Sequence, residues 1–190
     1  MTALASTHND ARQIGADPRL ILPLDLPDRP AAEAMIERLG DAISFYKIGL
    51  QLLASDGMAL ARSLKTGGAS LFLDWKLHDI GATVEKATAA IVATGACDLL
   101  TVHAEPQVLK AAVKGRAGDR QAKILGVTVM TSLTDADLIE MGYGVGVEVL
   151  VERRIRQVVD LGADGVIVSP REAALARHIG GPDLDRKSVV

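Results

Sequence analysis

Cysteine is almost missing from this chain: Cys97 stands alone among 190 residues. An internal disulfide is therefore excluded. A lone thiol in an apolar helix-to-strand junction reads as a small buried hydrophobe suited to a reducing compartment, and the cytoplasm is the expected location. No apolar run approaches the roughly 18 residues of a membrane-spanning helix. Residues 1–18 mix Thr, Ser, His, Asn, Asp and Arg without an apolar h-region. They lack the pattern of a signal peptide or membrane anchor and are expected to form a flexible N-terminal tail. The four histidines do not cluster, and with one cysteine they offer no zinc-ligand set. No Gly-x-Gly-x-x-Gly follows the first strand-like run. Gly142, Gly144 and Gly146 fall between helical segments, which speaks against a dinucleotide site. The 21 basic and 24 acidic side chains are scattered, with net charge −3. That balance argues against nucleic acid and anionic membranes as partners and leaves a small molecule as the expected one.

What the chain does have is apolar content, 48% of its residues, arranged as short strand-like runs alternating with helical ones. Its length suits one domain that buries about 70% of its unfolded surface. Strands are expected at 20–25, 44–48, from 71, 98–103, 123–130 and 164–168. Helices are expected at 30–39, 50–65, 83–94, 106–114, 135–141, 147–161 and 170–179. Such alternation builds right-handed βαβ units around a parallel sheet. Charged or polar residues recur at successive strand ends: Asp25, Lys47, Asp74 with Lys76, His103 and Thr131. A doubly wound sheet would gather its site at one switch point, whereas a barrel collects residues from many strand ends on one rim. The expected fold is therefore an α/β (β/α)8 TIM barrel, here with about six of its eight units, spanning residues 19–184.

The most informative stretch is Leu71 to Val84, LFLDWKLHDIGATV. Period two places Phe72, Asp74 and Lys76 on one face and Leu71, Leu73 and Trp75 on the other. Two charges on the inner face of a strand cost several kcal/mol per ion unless they pair or meet a ligand. Asp79 follows, then a turn and a helix expected to be capped near Thr83. Around the other candidates, His78 and His103 read as structural. Arg153, Arg154 and Arg156 read as a solvated helix face.

Asp74, Lys76, His78, Asp79, Ile80 and Thr83 reproduce a DxKxHDI…T run that resembles the signature of the orotidine 5'-phosphate decarboxylase family. Gly81 and Ala82 stand where that family often has Pro-Asn. The resemblance extends from about Leu20 to Pro182. It implies loss of carbon dioxide from orotidine 5'-monophosphate (OMP) to give uridine 5'-monophosphate (UMP), a step of pyrimidine biosynthesis, with no cofactor and no metal. It makes Lys76, Asp74 and Asp79 the catalytic residues. Substrate binding would fall to Asp25 and Lys47 at the ribose, with Asp74, Ile80, Thr83 and Thr131. It also implies a homodimer in which Asp79 and Thr83 reach the neighbouring site.

Two other readings stand beside this one. A metal-dependent hexulose-phosphate synthase or keto-gulonate-phosphate decarboxylase shares DxKxxD but not the KxHD form, and a non-catalytic remnant is the second. The resemblance implies a Thr-Pro-Gly-x-Arg phosphate loop after a seventh strand and a Gly-Arg after an eighth. No Thr-Pro-Gly-x-Arg run occurs in the 190 residues, and no eighth strand ending in Gly-Arg is expected among them. Residues 185–190 do not resemble the family's next strand and are expected to be a non-native tail, and the chain as given is expected to be inactive.

Overall fold

The computed structural model describes residues 16–188. Most of the expected N-terminal tail, residues 1–15, lies outside them, as do Val189 and Val190. Seven strands, all parallel, form one sheet in chain order: β1 (Leu22–Pro23), β2 (Phe45–Gly49), β3 (Ser70–Leu77), β4 (Leu99–His103), β5 (Lys123–Val127), β6 (Gly165–Ile167) and β7 (Asp185–Lys187). Helices α1 (Arg29–Leu39), α2 (Leu50–Leu53), α3 (Gly57–Thr66), α4 (Gly81–Ala93), α5 (Pro106–Gly115), α6 (Asp135–Glu140), α7 (Val147–Asp160) and α8 (Ala173–Gly180) fill the connections. This is the half-barrel of an incomplete TIM barrel, as expected.

Period two decides which side chains face inward. Ile21, Phe45, Phe72, Leu99, Leu125, Val127 and Ile167 make one apolar cluster on the inner face. The alternate residues, among them Tyr46, Ile48, Leu71, Leu73, Leu100, Val102, Ile124 and Val166, join the main core with the helices. Each fully buried Leu or Ile there contributes about 1.5–3 kcal/mol of transfer free energy. Both faces of the sheet are covered, which explains the near-continuous apolar runs of β4 and β5.

At the N-terminal end of the sheet, two aspartates tie neighbouring strands together. Asp98 accepts the Leu71 N–H at 2.7 Å and the Lys65 ammonium at 2.6 Å. Asp164 accepts the Ile124 N–H at 2.8 Å and pairs with the buried Arg116. These pairs fix strand register from the end opposite the candidate site, and removing one partner of a buried pair costs about 3–5 kcal/mol.

Three local expectations change. The helix expected over 50–65 is two helices, α2 and α3, separated by a turn in which Asp56 adopts φ 62°. Gly57 packs so closely on the Leu52 carbonyl that a Cβ would lie 2.7 Å from its oxygen. The Ser-Asp-Gly turn chemistry thus overrides the apolar periodicity. The helix expected from Thr83 begins two residues earlier, at Gly81, with Ile80 at the N-cap in an extended conformation (ψ 145°) and no capping side chain.

The third change is β7. Residues 185–187, expected to belong to a tail, pair in register with Gly165, Val166 and Ile167. Gly165 makes that approach possible, because a Cβ there would lie 2.4 Å from the Asp185 carbonyl oxygen. The Val168 N–H donates to the Lys187 carbonyl at 3.2 Å, and the Arg186 guanidinium donates to the Ala173 carbonyl at 2.9 Å. All three residues of β7 are charged, so no apolar alternation marks them as a strand.

Candidate active site

At the C-terminal ends of β1, β2 and β3 the inner face changes from apolar to charged. Lys47 on β2 lies between two carboxylates: its Nζ is 3.1 Å from Asp25 Oδ1 and 3.5 Å from Asp74 Oδ2. Asp74 in turn holds Lys76, whose Nζ is 2.9 Å from Asp74 Oδ1. The result is a row of alternating sign, Asp25–Lys47–Asp74–Lys76, drawn from β2, β3 and the segment just after β1. Asp74 is its buried centre, only 6% exposed. Its charge is tolerated there because two ammonium groups and a hydroxyl satisfy its oxygens.

The hydroxyl belongs to Thr101 on β4, a residue the sequence reading passed over. Its Oγ1 donates to Asp74 Oδ1 at 3.0 Å and accepts the backbone N–H of Lys76 at 2.9 Å. Thr101 is fully buried. The available signal was its parity: on β4 it shares a face with Leu99 and His103, which points it inward. A threonine in a strand nevertheless looks like ordinary β-propensity.

Lys76 occupies a strained position. The register of β3 against β4 shifts between Leu73 and Leu77, and Lys76 takes φ 47°, in the left-handed region. A non-glycine residue there costs of order 1–3 kcal/mol and persists only where its surroundings hold it. The bulge corrects the expectation of strict alternation through Lys76. Phe72 and Asp74 do face inward and Leu71, Leu73 and Trp75 outward, but the backbone leaves the strand pattern at Lys76. The Thr101 hydroxyl caps the displaced N–H, and Nζ still reaches Asp74.

The other expected residues are arranged differently. Asp79 is exposed, its Oδ1 accepts the N–H of Ile80 at 2.7 Å, and among the described residues it enters no ion pair. Ile80 is 71% exposed, and Thr83 is exposed on the first turn of α4. Asp79, Ile80 and Thr83 are thus exposed together on one short segment. Thr131, beyond β5, lines a cavity of about 580 Å³ with Met130, Thr134, Val147 and Arg171. A cavity that reaches the charged row lies between the two sheet edges. It measures about 470 Å³ and is lined by Ile21, Asp25 and Lys47 on one side and by Arg186 and Lys187 on the other.

A second polar group adjoins the row. The rings of His78 and His103 stack at 4.8 Å, and Glu105 Oε2 lies 3.8 Å from His78 Nε2 and 3.9 Å from His103 Nδ1. Burial pushes the His103 imidazole below the usual histidine range, although Glu105 opposes the shift. Arg154, expected on a solvated face, is 7% exposed and donates to Glu105 Oε1 at 3.0 Å and to the Ala104 carbonyl at 2.9 Å. Its position on α7 accounts for the correction: Leu150, Val151, Arg154, Ile155 and Val158 are the buried positions of one helical stripe. Arg153 and Arg156 remain exposed.

Fold and site together define an α/β-barrel enzyme that presents alternating carboxylates and ammonium groups at the C-terminal ends of its strands. A family model described as "Orotidine 5'-phosphate decarboxylase / HUMPS family" matches residues 18–187, and the chain belongs to that family. It is 69% identical over 164 residues to the orotidine 5'-phosphate decarboxylase of Caulobacter vibrioides (strain NA1000 / CB15N), covering 86% of this chain and 70% of the relative. Against the enzyme of the same name from Caulobacter sp. (strain K31), identity is 66% over 171 residues, covering 90% and 74%. Among solved structures, orotidine 5'-phosphate decarboxylase from Lactobacillus acidophilus superimposes with a TM-score of 0.78 at 32% identity, covering 87% of this chain and 77% of that one.

Proposed function

We propose that this chain is a decarboxylase of OMP and that the row Asp25–Lys47–Asp74–Lys76 carries the reaction. The observation that supports this most is the placement of Lys76 Nζ, 2.9 Å from a buried carboxylate on a strained bulge at the mouth of the sheet. Breaking the bond between C6 and the carboxylate leaves an electron pair on C6 with no adjacent sink. An ammonium fixed beside that carbon stabilises the developing charge where it forms and needs no reorganisation at the moment of reaction. Carbon dioxide departs, a proton passes from Lys76 Nζ to C6, UMP results, and solvent restores the lysine proton. Asp74 orients Lys76, and its charge close to the substrate carboxylate disfavours the ground state relative to the transition state.

Asp25 and Lys47 form the outer half of the row, where hydroxyls of the ribose find both an acceptor and a donor. Asp79, Ile80 and Thr83 are exposed, and Asp79 enters no ion pair among the described residues, which suits a homodimer in which they complete the neighbouring site. Thr131, in the cavity beyond β5, is a further substrate contact in this reading. No helix among the described residues is long and apolar enough to cross a membrane; a cytoplasmic location is part of this reading.

The test is conversion of OMP to UMP and carbon dioxide with and without a metal chelator. Turnover that survives chelation and disappears in Lys76→Ala supports the proposal. Turnover of a phosphosugar that requires added divalent metal, with OMP untouched, would replace it by the aldolase-type reading. Turnover of neither substrate would favour the non-catalytic reading, in which the chain as given is inactive.

A further inference from the structure

Glu105 stands at the N-cap of α5, yet its side chain makes no capping hydrogen bond. It turns instead toward Arg154, which takes one carboxylate oxygen at 3.0 Å. The other oxygen, Oε2, is buried without a hydrogen-bond partner. Leaving a buried carboxylate oxygen unpaired costs free energy, and leaving it beside two imidazole nitrogens is an arrangement with an obvious closed form. Both nitrogens are within 4 Å of it, at 3.8 Å and 3.9 Å, just beyond hydrogen-bond reach. The two rings belong to different elements. His103 ends β4, whereas His78 precedes Asp79 on the segment that joins β3 to α4.

We propose, resting on the decarboxylase reading, that Glu105 held by Arg154 is a positioning residue: its free oxygen closes on the His78–His103 stack when the stack takes up a proton, and this fixes the segment that carries Asp79. His78 is the more exposed of the two rings, and burial disfavours the charged form of the half-buried His103. The charged groups that act on His103 are Glu105 at the start of α5, Arg154 from α7 and Lys76 from β3, and the Asp79 carboxylate follows His78 directly in the chain. Among the groups that act on His103, only Glu105 attracts a protonated imidazole. The Thr101–Lys76 hydrogen bond already ties the first part of the segment to β4. The stack is the second tie, two residues further along, and the only one of the two that responds to pH.

The experiment is amide hydrogen exchange of residues 77–83 between pH 5.5 and 8, corrected for intrinsic rates, in the wild type and in Glu105→Gln, with His103 followed by NMR. The wild type is expected to show about tenfold greater protection at the acidic end. Glu105→Gln is expected to lose that difference, and its His103 midpoint moves down because the only attracting charge is gone. Should Glu105→Gln fail to fold with Arg154 unpaired, His78→Asn removes one ring of the stack, leaves the Glu105–Arg154 pair intact, and should abolish the pH dependence equally. Protection that changes with pH alike in wild type and variant overturns the proposal. In the decarboxylase assay, Glu105→Gln is expected to lower kcat several-fold on the acidic limb with KM within twofold. Exchange results as expected without any OMP turnover would defeat the decarboxylase reading alone, whereas normal turnover with unchanged exchange and pH profile would defeat this one alone.

Discussion

Thr101 and Asp74 are joined by a buried hydrogen bond of 3.0 Å, and the same hydroxyl accepts the Lys76 N–H at 2.9 Å. One side chain thus orients the central carboxylate and holds the bulge that displaces the lysine. Replacing Thr101 by the isosteric Val removes both bonds, leaving the Lys76 N–H without its acceptor and Asp74 Oδ1 with Lys76 Nζ alone. A loss of about 1–3 kcal/mol in stability is expected, together with at least tenfold slower turnover. Thr101→Ser should retain most of both. Denaturant unfolding alongside steady-state kinetics checks this, and a Val variant equal to the wild type in both would show that the hydroxyl is dispensable.

A second prediction concerns the start of α4. Gly81 occupies the first helical position, Ile80 before it is already extended at ψ 145°, and a Cβ at Gly81 would meet only Ala111 Cβ at an ordinary 3.8 Å. Those are the conditions a proline requires. Gly81→Pro should therefore raise stability by about 0.4–1 kcal/mol, chiefly by restricting the unfolded chain. The melting temperature reads this directly, and a decrease would mean that the segment needs the freedom of glycine.

Cys97 gives a prediction about reactivity. Burial pushes its thiol up to about 12, with Asp98 adding to the shift. A raised thiol value means that the reactive thiolate is scarce at neutral pH. The native protein should resist disulfide reagents at pH 8, and one thiol per chain should react after unfolding in guanidinium. Rapid labelling of the native protein would contradict the burial of Cys97.

The shared-site arrangement is tested by mixing Lys76→Ala with Asp79→Ala subunits. In a two-fold dimer, one of the two sites of each mixed pair receives both native residues. Random mixing makes about half the dimers mixed, so roughly a quarter of all sites should recover activity. Proven subunit exchange without recovery would place Asp79 in the site of its own chain.

Much of this site was legible in the sequence because charge in a strand is expensive. Asp25, Lys47, Asp74 and Lys76 are charged residues at the ends of apolar runs, and the structure brings all four into one row. Thr101 was not legible, since a threonine costs little in a strand and carries no charge to explain. Arg154 was legible in principle: it lies four residues after Leu150 and four before Val158, on the buried stripe. Grouping it with Arg153 and Arg156 hid that spacing. The division of α2 from α3 was masked by a leucine-rich stretch, although Ser55-Asp56-Gly57 is a turn signal. β7 had no pattern to detect, because its pairing rests on backbone hydrogen bonds and on the missing side chain of Gly165.

The central claim is that Lys76, held by Asp74, stands where negative charge develops at C6. It is tested most directly by comparing the affinity of the protein for UMP with that for a UMP analogue bearing a fixed anionic oxygen on C6, in the wild type and in Lys76→Ala. An interaction made mainly with transition-state charge should favour the anionic analogue by about 100-fold or more. The account predicts that preference in the wild type and its disappearance in Lys76→Ala, with UMP affinity little changed. Equal affinity for the two nucleotides in the wild type, or a preference that survives removal of the lysine, would contradict it.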